Sequence, residues 1–306
     1  MNAVRVAAFI ALLAVSGFSN RALAAEHDDY LRFEQYVRDG MLDPDAPIER
    51  RRAYVAEIEA VALRDKHPHL FYLLGSLYRQ GEDSPNSPVA KDIDRAREYL
   101  SRAALGGSDL AMAKLSGLEL EASNRFEANV WAQLYFHYSK DHWKIDRQID
   151  DSLFAASVIG AAQDGFLESQ RGALDEAVTR IIVGYDTVIR DRLQYSADAR
   201  ARNPLQSARG DKCNLMNLQW GPQKAARKRY PFGMAEYYVA FAADGSVHRA
   251  WVLDGWPDSR FADMVRPCVM RYRVDPAAAQ EAGNRLVLLP IHYSTNRHRI
   301  RVQDKQ

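Results

Sequence analysis

The sequence lacks the marks by which most enzymes announce themselves. It has no glycine-rich phosphate loop, no nucleophile elbow and no His-Glu-x-x-His pair, so no catalytic constellation is expected. Its acidic neighbours, Asp150-Asp151 and Glu119-x-Glu121, read as a helix cap and a solvated face rather than a paired acid/base device. His67-Pro68-His69 has no acidic or cysteine partner nearby, so no metal and no cofactor are expected. Charge of one sign is lacking too. A net charge of +1 gives no electrostatic case for nucleic acid. No apolar run reaches the roughly 20 residues that span a bilayer, so no stable membrane span is expected.

Cysteine is scarce: Cys213 and Cys268 are the only two. None lies near the N-terminus, which argues against a lipid-anchored end. That terminus reads as a targeting segment over residues 1–24. Arg5 supplies the positive start, Val6–Val15 is a short apolar stretch, and Ala22-Leu23-Ala24 offers small residues for cleavage. A cleaved segment predicts a periplasmic protein; retention as an anchor is the other reading. Export would place Cys213 and Cys268 where an even pair bridges. The chain-entropy model gives such a bridge roughly 4 kcal/mol. One buried and one exposed thiol is the alternative.

What is present divides into two textures. Residues 26–197 are helical. Leu70, Leu73, Leu74, Leu77 and Tyr78 form a stripe at helical spacing, and Gly81 closes that helix. After a polar loop, Ala96, Tyr99, Leu100, Ala103 and Ala104 share the face of a second helix. Gly106-Gly107 stops it, and Ser108 or Asp109 caps the next. A weaker copy follows through Ala111, Leu115 and Leu118, then Phe126, Ala128, Trp131, Leu134 and Tyr135. Recurrence at about 40 residues is the signature of stacked helix pairs. A longer helix from Leu167 to about Tyr195 ends the half. Residues 198–229 read as a linker.

The helical text resembles a known family. Leu74-Gly75-x-Leu77-Tyr78-x-x-Gly81, then Ala96, Tyr99, Ala103-Ala104-x-x-Gly107 and Ala111, is similar to a Sel-one-like repeat of the tetratricopeptide class, over residues 66–140. Ser116 and Glu119 replace the glycine and tyrosine in the second copy. The resemblance implies stacked helical hairpins that hold a protein partner.

Residues 230–296 change period. Tyr237, Val239 and Phe241 alternate with Tyr238, Ala240 and Ala242. Asp244-Gly245 predicts a hairpin turn, and Val247–Leu253 returns as the second strand. Asp258 or Ser259 caps a helix carrying Phe261, Met264, Val265, Cys268 and Val269, which Pro267 should kink or end early. A last strand puts Val287, Leu289, Ile291 and Tyr293 on one side. Pro290 cannot donate a ladder bond, so the strand should lie at an edge or carry a bulge. The expected fold class is α+β, an all-α repeat domain followed by a small ββαβ domain.

The strand, Asp244-Gly245-x-Val247, Tyr272-x-x-x-Pro276 and Val287-x-Leu289-Pro290-Ile291-x-Tyr293 resemble the C-terminal domain of the TonB family. That resemblance implies periplasmic binding of peptide segments, outer-membrane receptors among them, at the last strand. It points to Arg285, Leu286, Leu288, Pro290 and His292 as the binding residues. Transducers of that family carry a membrane helix and a proline-rich spacer, and neither is expected here. The expected function is a non-enzymatic periplasmic binding or scaffold protein, tied to envelope transport by the family resemblance. A cell-envelope enzyme or inhibitor acting on cell-wall or peptide substrates is the alternative.

Two basic clusters complete the sequence. Lys224, Arg227, Lys228 and Arg229 beside Trp220 and Tyr230 could meet anionic lipid or an acidic partner, or could be a solvated linker. Arg297, His298, Arg299 and Arg301 lie in the tail, residues 297–306.

Overall fold

The computed structural model describes residues 32–146, 149–201, 205, 209–210, 232–283 and 285–294. The expected targeting segment, Cys213, the basic run at Lys224–Arg229 and the basic tail lie outside the described residues. The described chain is mostly helical, with a small three-stranded antiparallel sheet near its C-terminus.

The first half holds α1 (32–38), α2 (Ile48–Asp65), α3 (Pro68–Gln80), α4 (Ile93–Leu105), α5 (Asp109–Glu121), α6 (Arg125–Asp146), α7 (Ile149–Gln163) and α8 (Arg171–Ala201). Local chemistry sets several starts. The Asp92 carboxylate accepts from the Arg95 N–H at 2.9 Å and the Ser108 hydroxyl from the Ala111 N–H at 3.3 Å. These bonds satisfy donors that a helix N-terminus otherwise leaves orphaned. α8 continues to Ala201, past the residue where the sequence suggests a linker.

Helices pack as consecutive hairpins, α3 on α4 and α5 on α6, with α7 against α6. Gly75 makes the first hairpin close. A Cβ there would stand 2.6 Å from the Leu100 Cγ and 3.0 Å from the Leu100 backbone nitrogen. α3 is buried on every side from Leu70 to Gln80, and α5 from Ala111 to Glu119. A helix of a two-layer bundle would leave one face in water. Full burial means that a third layer covers these two.

That layer is the sheet. Its strands are β2 (Phe232–Phe241), β3 (Val247–Trp256) and β5 (Val287–Ser294), in the order β3-β2-β5. β1 (Arg209–Gly210) and β4 (Tyr272–Arg273) form a separate two-residue pair. One sheet face, with Ala235, Tyr237, Val239, Ala250 and Val252, packs on α9 (Ser259–Val269) through Phe261, Ala262, Val265 and Val269. The other face sends Met234, Tyr238, Trp251, Leu253, Trp256 and Leu286 into the helical core. At Gly117 of α5 a Cβ would run into the Trp256 indole, so the aromatic rim of the sheet lies directly on the helix backbone. The molecule is therefore layered: α4 and α6 outside, α3, α5 and α7 inside, then the sheet, then α9.

Two details depart from the sequence reading. α9 runs on past Pro267 to Val269. The backbone bond that proline deletes would reach Asp263, and both residues are exposed, so the break falls on the solvent side of the helix. The chain also inserts β4 and α10 (Pro276–Ala282) between α9 and β5, where a bare ββαβ unit would have a loop. Asp275 caps α10 by accepting from the Ala277 N–H at 2.8 Å, with Pro276 in the first turn. Among the described residues no helix is long and apolar enough to cross a membrane.

Candidate functional site

The inner helical layer meets the sheet through buried charge. Glu236 of β2 and Asp254 of β3 stand opposite each other in the strand register, a pairing that like charges disfavour. Lys114 of α5 resolves it. Its Nζ lies 2.5 Å from Glu236 Oε2, 2.7 Å from Asp254 Oδ2 and 2.6 Å from Ser76 Oγ. The ammonium thus donates hydrogen bonds to Glu236 and Ser76 and forms an ion pair with Asp254. Tyr72 of α3 donates its hydroxyl to Glu236, and Arg79 of α3 pairs with Asp254. Gln80 donates to Asp254 Oδ1 at 2.7 Å.

Two cations from the helices so face two carboxylates from the strands, and none of the seven side chains is more than 5% exposed. Burial alone would raise the Asp254 carboxyl, but Arg79 and Lys114 hold it below its ordinary value. Burial, seconded by Glu236, drives the Tyr72 hydroxyl well above its own. Sequence reasoning missed this seam. Its signal was a lone charge inside each apolar run: Lys114 in Ala111–Leu118, Glu236 in Met234–Phe241 and Asp254 in Val252–Trp256.

Nearby, burial presses His69 down to a pKa of about 3, helped by His67 and Arg192. Its Nε2 is 3.0 Å from the Tyr238 hydroxyl, and its ring meets Phe33 edge-on at 5.9 Å.

The sheet has two outer edges, and they are treated differently. Along β3, side chains cap the backbone carbonyls. Gln80 donates to Leu253 at 2.9 Å, Arg79 to Gly255 at 2.8 Å and Arg266 to Ala250 at 3.3 Å. Along β5, the strand pairs with β2 and with no other strand among the described residues. Pro290 opposes Glu236 without a register shift in that pairing, which makes the strand an edge rather than a bulge.

The residues expected to bind a partner are mostly engaged within the chain. Leu286 is fully buried in the helical core, and Leu288 packs against that core. His292 stacks on Phe154 of α7, ring centroids 4.6 Å apart and planes 5° from parallel. Arg285 pairs with the buried Glu34 of α1 at 3.2 Å. Burial raises the Glu34 carboxyl, against the pull of Arg285 and of the Leu286 backbone N–H. Pro290 alone of the five is exposed. What β5 can offer a partner is its backbone edge around Leu288 and Pro290, not a set of side chains.

The inner face of the helix pairs is likewise occupied. In stacked-repeat proteins that concave face holds ligands; here it holds the sheet of the same chain. Cys268 is buried on α9 and is not a free thiol, while Cys213 falls outside the described residues. Scans of protein-family models, of curated proteins and of solved structures each return no match to this chain.

Proposed function

We propose that this chain is a non-enzymatic periplasmic scaffold that binds an extended peptide segment of another envelope protein along the outer edge of β5. The observation that supports it is the contrast between the edges: β3 is capped by side chains, whereas β5 has no strand beyond it among the described residues. An extended peptide adds to such an edge by backbone hydrogen bonds. The resemblance of the last strand to the TonB family, and of the helix pairs to Sel-one-like repeats, supports the same reading, and the N-terminal targeting segment supports its compartment. The helices serve as the support on which the sheet is mounted, with their inner face already filled.

The rival reading, an envelope enzyme or inhibitor, would draw on the seam, the richest cluster of titratable groups. A substrate reaches those groups only by parting the sheet from the helices, because all of them are buried. The seam is therefore read as a fastening.

Deleting β5 is a poor test, since Val287 belongs to the core beneath α9 and Leu288 packs against the helical core. The sharper test compares Leu288→Pro, which deletes one edge amide, with Leu288→Val, which keeps it. Envelope proteins retained by the full chain and by Leu288→Val should be lost with Leu288→Pro. In the retained complex the Leu288 amide should be protected from hydrogen exchange. Retention that ignores Leu288→Pro would sink the proposal.

A further inference from the structure

A bare edge strand pairs as readily with a second copy of its own chain as with a foreign peptide. β5 carries its proline near the middle of the strand, exposed and opposite Glu236. Proline has no N–H and fits a paired strand where its nitrogen faces away from the neighbour. In an antiparallel ladder the N–H and C=O of one residue point the same way, and alternate residues point outward. Position 290 therefore faces the outer edge, together with 286 and 288. An independent observation agrees: the Leu286 N–H acts on Glu34 of α1, which lies outside the sheet.

We propose that Pro290 is a gatekeeper that sets the specificity of this edge, admitting a foreign strand while rejecting a second copy of the chain. The inference rests on the open-edge reading of the function. Two copies pairing antiparallel about position 290 bring Pro290 against Pro290. Both donors are then missing at the centre, and each Pro290 carbonyl faces the ring nitrogen of the other copy's proline, which has no proton to give. A foreign strand without proline loses only one bond at that place. Sliding the self-pairing towards Leu286 gives no escape, because Glu34 and Arg285 occupy that end. One residue thus blunts self-association and leaves most of the edge for another sequence.

Sedimentation velocity on the full chain, wild type and Pro290→Ala, tests this, with hydrogen exchange read at Leu288 and at the new amide of position 290. Pro290→Thr, which also restores the donor, guards against a folding defect peculiar to one variant. The wild type should stay monomeric. Each variant should dimerise with a Kd lower by at least about tenfold, the effect of a restored donor in each copy, and the dimer should protect both amides. Variants no more dimeric than the wild type, or a dimer that leaves Leu288 exchanging fast, would overturn the gatekeeper alone. Slow exchange at Leu288 in the wild-type monomer would instead overturn the open edge, and the proposed function with it.

Discussion

Lys114→Met should lower the stability of the folded chain by about 3–5 kcal/mol, the cost of leaving a buried charge partner uncompensated. Methionine keeps the length and most of the volume of the side chain, so packing is nearly conserved. What goes is the ammonium that holds Glu236 and Asp254 apart on neighbouring strands and also serves Ser76. Arg79 remains on Asp254, but Glu236 keeps only the Tyr72 hydroxyl. Adding Glu236→Gln to Lys114→Met removes the stranded charge and should recover a large part of the loss. Urea unfolding at pH 7 with an unchanged m-value measures both. A loss under about 1 kcal/mol for Lys114→Met, the scale of a surface pair, would show that the seam carries little of the fold.

Acid should weaken the protein well above the pH at which carboxylates titrate. His69 has a folded pKa of about 3 against an ordinary value of 6.5. Between those values the unfolded chain binds the proton and the folded chain does not. Stability is therefore complete above 6.5 and falls as the pH drops towards 3. At pH 5 the loss from this residue is at most about 2 kcal/mol; the ring keeps some contact with solvent, which trims it. Asp254, whose pKa is lowered, adds its own loss only below its ordinary value of 3.8. Tyr72 works at the other end, since its raised pKa removes stability as the pH climbs above 10. Urea midpoints at pH 7 and pH 5 should differ for the wild type and converge for His69→Phe. Equal slopes for the two would assign the acid sensitivity elsewhere.

Much of this fold could be read from local chemistry. The stripe of Leu70, Leu73, Leu74 and Leu77, the cap at Ser108 and the turn at Asp244-Gly245 each act within a few residues, and each appears where its chemistry places it. Pro290 marked its strand as an edge for the same reason: a missing donor is a local fact. The partner of each face was not local. Tyr72 and Glu236 are 164 positions apart, and Lys114 and Glu236 are 122 apart. Periodicity shows that a face is apolar but not what covers it.

The surroundings of the last strand are non-local in the same way. The resemblance to the TonB family implies Leu286, Leu288 and His292 as binding residues, and it carries no information on what covers the strand in this chain. Both faces of this sheet are covered, and those side chains meet the helices instead. A single charge within each of three apolar runs was the readable sign that something buried must answer it.

The central claim is that the helices and the sheet form one cooperatively folded body, joined at the seam of Arg79, Lys114, Glu236 and Asp254. Native-state hydrogen exchange tests it most directly, by comparing the opening free energies of the Leu115 amide in α5 and the Tyr238 amide in β2 across a urea series. One body predicts that the two converge on the same global unfolding. A Tyr238 amide that opens at much lower free energy, with Leu115 still protected, would show that the sheet leaves the helices as a separate unit and would contradict the account.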